Sequence, residues 1–440
     1  MTNDSNLHLT IEKLIYGGDG LARLPADQSG RRRAAFVPFV LPDEQIEAAL
    51  VEQKPGFVRA RLEKIVQYSP RRVAPRCPYF QRCGGCHYQH TEYEHQLEIK
   101  VAILKENLRR IAKVDLESEP QTHPSPPWHY RNRASLKVRT TPEFALGYHK
   151  FGSHELLPVE DCPISSPAIN RAIAAVWGLG RGGKIDGAIR EIEFFTDAAD
   201  SQMLVEIDCG PEAKSGSAEK LAADFQKSLP GVAGVVVFRA ASGPYAGAAE
   251  PVRLAAAGNT ELHYATQRAS YRVSAGAFFQ VNRHMVDALV DIVTENRSGE
   301  LALDLFAGGG LFSVILARSF AQVIAVEASQ TAHADLLYNS PGNVRVVRAM
   351  ADQYLKNAGS RLRPELVVVD PPRSGLGQDM VRALAASAAP RISYVSCDPA
   401  TLARDLGGLL GGGYRIEQTH LVDLFPQTFH LESVVQLVRA

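Results

Sequence analysis

This sequence contains no run of apolar residues close to the about 20 that a membrane-spanning helix requires. Its first residues, MTNDSNLHLT, lack the basic and apolar segments of a secretion signal. Both absences lead us to expect a cytoplasmic protein that does not bind a membrane. In the cytoplasm, free thiols and metal–sulfur sites are more common than disulfides, so the six cysteines are interpreted in that way.

An excess of one charge is also missing, because 48 lysines and arginines balance 48 aspartates and glutamates. This balance argues against a protein that coats nucleic acid over its whole surface. Basic residues are nevertheless grouped locally, with six between positions 59 and 76 and three more at 31–33. On charge alone, these groups are either a solvated face or a contact for nucleic acid.

Repeats and extended low-complexity tracts are absent as well, and the length of 440 residues predicts roughly two to four domains. Short strands separated by turn signals over residues 1–68 predict a small β-barrel. Apolar residues at helical spacing predict a helix over 93–112, and mixed patterns continue to about residue 275. Beyond that point strands alternate with helices, which is typical of a doubly wound, mostly parallel sheet. We predict a multidomain α/β protein with domains at 1–68, 69–275 and 276–440, in which helix 93–112 is a candidate to pack on the third.

Four of the predicted strands in the last domain end on polar or reactive side chains. Asp304, Glu327, Asp370 and Cys397 each stand at the end of an apolar run. Because ligands of such sheets bind at the carboxyl ends of the strands, we expect these four side chains to meet in one crevice.

The first of these strands continues into the glycine-rich segment DLFAGGG, and Glu327 ends the next strand 23 residues after Asp304. Glycines allow a ligand to approach the backbone closely, although taken singly they indicate only a turn. An acid at the second strand end typically binds ribose hydroxyls. Ser313 stands where a dinucleotide fingerprint has its last glycine. The pattern therefore fits S-adenosylmethionine, which has a ribose but no pyrophosphate.

Asp370 is followed by two prolines, whose restricted φ angles make the loop rigid. A rigid loop suits a carboxylate that holds the flat edge of a base. The alternative is that the loop is only a structural turn.

Three cysteines lie within ten residues, with the spacing C-x5-C-x2-C at Cys77, Cys83 and Cys86. Cys162 could supply a fourth thiolate. Four thiolates fit either structural zinc or a [4Fe–4S] cluster, and the residues themselves do not choose between the two. Cys209 is interpreted as a buried thiol to which no role is assigned.

Cys397 is then left without a metal partner. A single thiol in a ligand crevice is a candidate nucleophile, but it needs positive potential nearby to ionise. Arg404 or the start of the following helix could provide that potential. Closer to the end of the sequence, Glu432 stands beside an apolar strand and is either an ordinary edge residue or a catalytic carboxylate.

Five motifs, in their order and approximate spacing, resemble the S-adenosylmethionine-dependent RNA 5-methyluridine methyltransferases. They are FFQVN (278–282), LDLFAGGG (303–310), VVVDPPRSG (367–375), YVSCDPATLARD (394–405) and DLFPQTFHLES (423–433). The likeness covers nearly the whole chain. The cysteine spacing resembles the iron–sulfur branch of that family, which includes enzymes of 23S ribosomal RNA. Two positions depart from the family pattern: Asp398 stands where Asn is common, and Ala-Gly-Gly-Gly at 307–310 replaces Cys-Gly-x-Gly.

The resemblance implies a fold, cofactors and a partner. The fold would be an N-terminal OB-like TRAM barrel that binds RNA, a central α+β iron–sulfur domain and a C-terminal Rossmann-like class I methyltransferase. The cofactors would be S-adenosylmethionine and a [4Fe–4S] cluster held by Cys77, Cys83, Cys86 and Cys162. The partner would be RNA, bound by a monomer that needs no other protein.

The resemblance also implies roles for single residues. Cys397 would add to C6 of a uracil and thereby activate C5, and Glu432 would remove the C5 proton after methyl transfer. Asp370 would hold the uracil edge or the cofactor. The positions that match cofactor contacts are Gln280, Phe306 and Glu327. Since C6 is hidden in stacked RNA, the target base must be flipped out.

Other functions remain open at this point. Within uridine methylation the expected substrate is 23S ribosomal RNA, and tRNA is the main alternative. An amino-group methyltransferase has a similar Asp-Pro-Pro loop but needs no thiol. A non-catalytic RNA-binding maturation factor would use the barrel and the cluster without the cofactor.

Overall fold

A computed structural model describes residues 6–28, 30–239, 251–358 and 362–440. Within these ranges, no helix combines the length and the apolar character that crossing a membrane requires. Most strands belong to an N-terminal, a middle or a C-terminal sheet, and a separate hairpin lies between the last two along the chain.

The N-terminal sheet is built from short strands. They are β1 (Asn6–Thr10), β2 (Lys13–Leu14), β3 (Asp19–Arg23), β4 (Ala34–Pro38), β5 (Gln45–Gln53) and β6 (Phe57–Gln67). Their spatial order is β1-β5-β6-β4-β3-β2. Burial alternates along β4, where Ala35 and Val37 join an apolar core with Ile46 of β5 and Val58 of β6. The predicted short strands are therefore present, and the OB-like barrel stays a prediction.

The first helix, α1 (Tyr93–Asn107), continues as a π-helical turn at Leu108–Ala112. Its apolar residues pack in the same cluster as the core of the C-terminal sheet. Its buried face also contains the polar residues Gln96 and Lys100, which the apolar spacing did not predict. The short strand β7 (Gln121–His123) follows and pairs with the C-terminal sheet.

The middle sheet has strands β8 (Arg133–Arg139), β9 (Ala145–His149), β10 (Leu156–Pro158), β11 (Ile189–Thr196), β12 (Met203–Cys209), β13 (Val232–Arg239) and β14 (Val252–Gly258). Their order is β10-β9-β8-β11-β12-β13-β14, and β12 and β13 run parallel. Two helices contribute to its core, α2 (Pro167–Arg181) and α3 (Ser215–Ser228). A hairpin of β15 (Glu261–Ala265) and β16 (Ser270–Ser274) leads out of it.

The C-terminal sheet alternates with helices, as predicted. Its further strands are β17 (Gly299–Leu305), β18 (Phe320–Glu327), β19 (Val344–Arg348), β20 (Leu366–Val369), β21 (Arg391–Ser396), β22 (Tyr414–Val422) and β23 (Glu432–Arg439). The helices are α4 (Val286–Thr294), α5 (Ser313–Leu316), α6 (Gln330–Asn339), α7 (Ala351–Ala358), α8 (Gly377–Ser387) and α9 (Pro399–Gly411). The strand order is β19-β18-β17-β20-β21-β23-β22-β7.

This strand order determines where a ligand can bind. All four residues of β20 are buried, because apolar clusters cover both faces of the sheet. The chain moves outward from β17 to β18 and β19, then returns to β20 on the other side of β17. The crevice at such a reversal, at the carboxyl ends of the strands, is the usual ligand position.

Candidate active site

The predicted strand-end residues gather at the carboxyl edge of the C-terminal sheet. Asp304 lies in β17, Glu327 ends β18, Asp370 directly follows β20 and Cys397 directly follows β21. The register of the parallel pairs aligns these strand ends. Glu432 reaches the same edge from the opposite direction, because β23 begins there and runs antiparallel to β21. The structure thus brings all five residues together.

The glycine loop and Glu327 form the part of the crevice that the resemblance assigns to a cofactor. The Glu327 carboxylate accepts hydrogen bonds from the N–H groups of Gly308, at 2.8 Å, and Ser329, at 2.7 Å. Phe306 has a φ of 65°, a left-handed conformation that is uncommon outside glycine. Such conformations concentrate at ligand sites. Each Glu327 oxygen keeps a free lone pair, so the carboxylate can still accept a ligand hydroxyl.

Asp304 is fully buried under this loop. Its Oδ2 accepts a hydrogen bond of 2.5 Å from the hydroxyl of Ser313. Its Oδ1 is buried without a hydrogen-bond partner among the described residues. Burial raises the pKa of Asp304 to about 7, and the nearby Glu327 adds to the effect. Ser313, which only marked a missing glycine in the sequence, therefore anchors the carboxylate beneath the loop.

Gln280 lies in the segment FFQVN, whose backbone is held by buried amides. The side chain of Gln280 is buried, and the backbone carbonyl of Gln280 accepts a hydrogen bond of 3.1 Å from the side-chain amide of Asn132. Asn282 donates to the carbonyl of Leu424 at 3.1 Å and to the hydroxyl of Ser125 at 2.9 Å. The segment is thereby tied both to the middle sheet and to the chain that leads to Glu432.

Cys397 faces carboxylates in the other part of the crevice. Burial raises the pKa of the Cys397 thiol to about 11, with further contributions from Glu432 and Asp370. Burial also raises the pKa of Asp370 to about 7 and holds that of Glu432 well above its usual value. The negative charge of Asp370 adds to the rise in the pKa of Glu432, because two neighbouring negative charges repel each other.

The cation beside the thiol is Arg373 rather than Arg404. Arg373 lowers the pKa of both Cys397 and Glu432. The prediction of Arg404 was wrong, since its guanidinium donates to Asp405 at 2.9 Å and to the carbonyl of Ser374 at 2.8 Å. Arg373 belongs to the motif VVVDPPRSG, so its position after the rigid prolines was a signal that could have identified it.

Two further contacts fix the backbone around the thiol. Asp398 caps α9, where its side chain accepts hydrogen bonds from the N–H groups of Ala400 and Thr401 at 3.0 and 2.9 Å. The hydroxyl of Tyr16, in the N-terminal sheet region, donates to the carbonyl of Cys397 at 3.0 Å. No pattern in the sequence pointed to Tyr16, because the two residues are 381 positions apart.

Residues 92–440 match the model of the tRNA (uracil-5-)-methyltransferase family, which is more than half of the chain. The chain belongs to this family. Its members are RNA uracil-C5 methyltransferases, as the motifs predicted. An uncharacterized RNA methyltransferase of Aquifex aeolicus is 32% identical over 99% of both proteins.

This methyltransferase is also similar to a second relative and to a solved structure. The 23S rRNA (uracil(1939)-C(5))-methyltransferase of Pseudomonas putida is 30% identical, over 97% of this chain and 92% of the relative. The crystal structure of Pyrococcus abyssi tRNA (uracil-54, C5)-methyltransferase, in complex with S-adenosyl-L-homocysteine, has a TM-score of 0.75 and 24% identity. The matched region covers 98% of this chain and 100% of the Pyrococcus abyssi chain. At that identity the likeness concerns the fold, a mixed α/β S-adenosylmethionine-dependent methyltransferase.

The methyltransferase also gathers its N-terminal cysteines around one cavity. Cys77, Cys83, Cys86 and Cys162 line a space of about 210 Å³. Burial raises the pKa of Cys83 to about 11 and that of Cys86 further, and neighbouring thiols add to both shifts. Among the described residues, no three His, Cys, Asp or Glu side chains form a group that could hold a metal ion. The four cysteines therefore line one cavity, whereas their role as metal ligands and the cluster stay predictions.

Proposed function

We propose that this enzyme methylates C5 of a uridine in 23S ribosomal RNA through a covalent bond between Cys397 and C6 of the base. The observation that carries the proposal is the meeting of Cys397 and Glu432 on adjacent strands, at the edge where Glu327 and the glycine loop lie. The ribosomal target rests on the Pseudomonas putida relative, which covers nearly the whole chain.

The residues of the crevice divide the reaction between them. The Cys397 thiolate adds to C6 of uracil, which makes C5 nucleophilic. After C5 has received the methyl group, the Glu432 carboxylate takes the C5 proton. The C6–S bond then breaks, the C5–C6 double bond re-forms and the Cys397 thiolate is released. Arg373 stabilises the thiolate electrostatically. Asp370, on its rigid loop, contacts the cofactor, and the uracil edge is its alternative partner.

S-adenosylmethionine, when bound, supplies the electrophilic methyl group. The residues fit such a ligand in three respects: the free lone pairs of Glu327, the buried and unpartnered Oδ1 of Asp304, and the glycine loop. Gly308, with a φ of 54°, has no atom within 4 Å of the position where a Cβ would stand. A ligand can therefore lie against this backbone. We assign cofactor contacts to Gln280, Phe306, Glu327 and Asp370.

Replacing Glu327 separates cofactor binding from RNA binding. Glu327→Ala should weaken S-adenosylmethionine binding by about 1.5–3 kcal/mol for each hydrogen bond lost to the charged carboxylate. Calorimetry with the cofactor alone measures this effect. RNA affinity without cofactor should stay the same, and a fall in RNA affinity instead would argue against the assignment.

RNA would reach the crevice along the N-terminal part of the chain. A groove of about 1470 Å³ lies between β6 of the N-terminal sheet and the middle-sheet region. Its lining carries more basic than acidic side chains, the basic ones being Arg59, Arg61, Lys64, Arg82, Arg139 and Lys150. Such side chains bind phosphates without reading sequence. We infer that residues 1–68 act as a TRAM-like RNA-binding module, within the domain division proposed from the sequence.

The four cysteines would hold a [4Fe–4S] cluster. The four thiolates that hold a cluster lie on different sides of it and are separated by its width, so they line a shared cavity. The ligands of a single metal ion lie closer together. The 210 Å³ space lined by all four thiols fits this description. Anaerobically purified protein should contain about four irons per chain. Stoichiometric zinc without iron would refute the cluster.

The covalent step is tested with two variants that act at different stages. Cys397→Ala should form neither adduct nor product, whereas Glu432→Gln should accumulate a denaturation-stable adduct that already carries the methyl group. RNA containing 5-fluorouridine should trap the wild type at the same stage. A denaturing gel with methyl-labelled cofactor distinguishes these outcomes.

Turnover by Cys397→Ala would exclude the mechanism and favour the amino-group alternative. Parallel reactions with 23S rRNA and with total tRNA decide the substrate. Methylation of tRNA alone would overturn the ribosomal assignment.

A further inference from the structure

The segment that leads to Glu432 is buried although it is a loop. Residues 423–431 connect β22 to β23, and Glu432 is the first residue of β23. Within this segment, Asp423, Gln427 and Thr428 are each at most 3% exposed. A buried loop requires partners for its backbone groups, because water cannot satisfy them.

One set of partners comes from α1 through a buried ion pair. Lys100 is 0% exposed, and its Nζ donates to Oδ1 of Asp423 at 2.6 Å and to the carbonyl of Phe425 at 3.0 Å. The hydroxyl of Tyr93 donates to the other oxygen of Asp423 at 2.8 Å. Both carboxylate oxygens are thus bound, which fixes the start of the segment.

A second set of partners surrounds Gln427. Its φ of 70° is a left-handed conformation that a glutamine adopts only when its surroundings hold it there. The amide of Gln96, in α1, accepts from the N–H of Gln427 and donates to its Oε1, both at 3.0 Å. The carbonyl of Gln427 accepts from the N–H groups of His87 and Tyr88 at 2.9 and 3.0 Å. These two residues directly follow Cys86, so α1 and the cysteine segment hold the same loop.

We propose that Gln96 and Lys100 are positioning residues for Glu432. They fix the segment 423–431 and thereby set the carboxylate against C5 of the adduct, an inference that rests on the proposed function. Neither side chain touches the reacting atoms. Misplacement of a catalytic group by about 1 Å can cost roughly a hundredfold in rate, so a small shift of the loop is sufficient to slow proton removal.

The test measures release of the adduct separately from its formation. Gln96→Leu keeps the approximate volume and removes the bonds to Gln427, together with those that the Gln96 amide donates to the carbonyls of Tyr88 and Thr91. Tyr93→Phe removes one hydroxyl next to Asp423 and is the milder change. Lys100 itself is unsuitable, because its loss would leave the Asp423 charge buried and unpaired. The control is Gln436→Leu, in β23, since Gln436 is a buried glutamine that bonds to the carbonyl of Ile292 instead of the segment.

Each variant is mixed with uridine RNA and methyl-labelled cofactor, and then chased with unlabelled cofactor. Adduct decay should slow by about tenfold or more in Gln96→Leu and by about two- to fivefold in Tyr93→Phe, as misplacement of the carboxylate requires. Adduct formation per active molecule and the decay rate of Gln436→Leu should stay within about twofold of the wild type. The ratio of the adduct decay rate to the rate of adduct formation per active molecule does not depend on the folded fraction. A variant that is only destabilised therefore leaves this ratio unchanged.

Two results would overturn these conclusions in distinguishable ways. Wild-type decay of the adduct in folded Gln96→Leu, or equal slowing in Gln436→Leu, would refute the positioning role while leaving the mechanism intact. Failure of the wild type to form an adduct with 5-fluorouridine RNA would refute the proposed function, and the inference with it.

Discussion

Arg373 should control how readily Cys397 ionises. The thiol has a pKa of about 11, so at pH 8 only about one molecule in a thousand carries the thiolate. A neighbouring opposite charge shifts a pKa by about 1–3 units, and Arg373 is the cation that acts on this thiol. Arg373→Gln should therefore raise the thiol pKa by at least about one unit and lower the thiolate fraction about tenfold.

The assay is alkylation of Cys397 with isotope-labelled iodoacetamide, followed by mass spectrometry of the peptide that contains it. Because only the thiolate reacts, the rate should rise about tenfold per pH unit from pH 7 to 9, without a plateau. Arg373→Gln should be slower by about tenfold throughout this range. Arg404→Gln should change the rate by less than about twofold, because Asp405 already neutralises that guanidinium.

Two results would refute this reasoning. A plateau between pH 7 and 8 would mean that the thiol ionises near neutrality and that its surroundings do not raise its pKa. A larger effect of Arg404→Gln than of Arg373→Gln would assign the positive potential to the residue that the sequence suggested.

Three further predictions follow from single contacts around the crevice. Asp398→Asn should keep the cap of α9 and speed alkylation of Cys397, since the Asp398 charge raises the thiol pKa; Asp398→Ala should instead cost about 1 kcal/mol in urea unfolding. Tyr16→Phe removes a hydrogen bond of about 0.5–1.5 kcal/mol to the Cys397 carbonyl, so kcat should fall several-fold with little change in Tm. Asp304 has a folded-state pKa of about 7 against a usual value of 3.8, so its contribution to stability is lost as pH rises through that interval. The Tm of Asp304→Asn should therefore rise relative to that of the wild type as the pH increases from 5 to about 7.5. A Tm difference that stays constant with pH would refute the raised pKa of Asp304.

The strand ends of the site were predictable because the rule behind them is local. Each of Asp304, Glu327, Asp370 and Cys397 follows its own apolar run, and parallel strands align their carboxyl ends. The helix over 93–112 was predictable for the same reason, since its spacing lies within one segment. The buried polar face of this helix could not be predicted, because the partners that bury Gln96 and Lys100 are more than 300 positions away.

Contacts between distant parts of the chain explain the other differences. Arg404 is close to Cys397 in the sequence but pairs with its neighbour Asp405, whereas Arg373, which acts on the thiol, comes from the loop after another strand. Tyr16 reaches Cys397 because the N-terminal region packs on the C-terminal core. Similarly, β7 joins the C-terminal sheet from within the region predicted as the middle domain. Patterns of spacing carry no information on such pairings.

The raised pKa values in the crevice also bear on how the thiol loses its proton. Cys397, Asp370 and Glu432 lie close together beside Arg373, so repulsion opposes the ionisation of all three at once. A raised carboxylate pKa brings the proton affinity of Glu432 closer to that of a thiol, which lowers the free-energy cost of passing a proton between them. Once Glu432 has passed that proton to solvent, the same carboxylate can receive the C5 proton after the base is methylated. The electrostatics that keep the resting thiol unreactive thus also provide the proton acceptor that the two steps of the proposed reaction require.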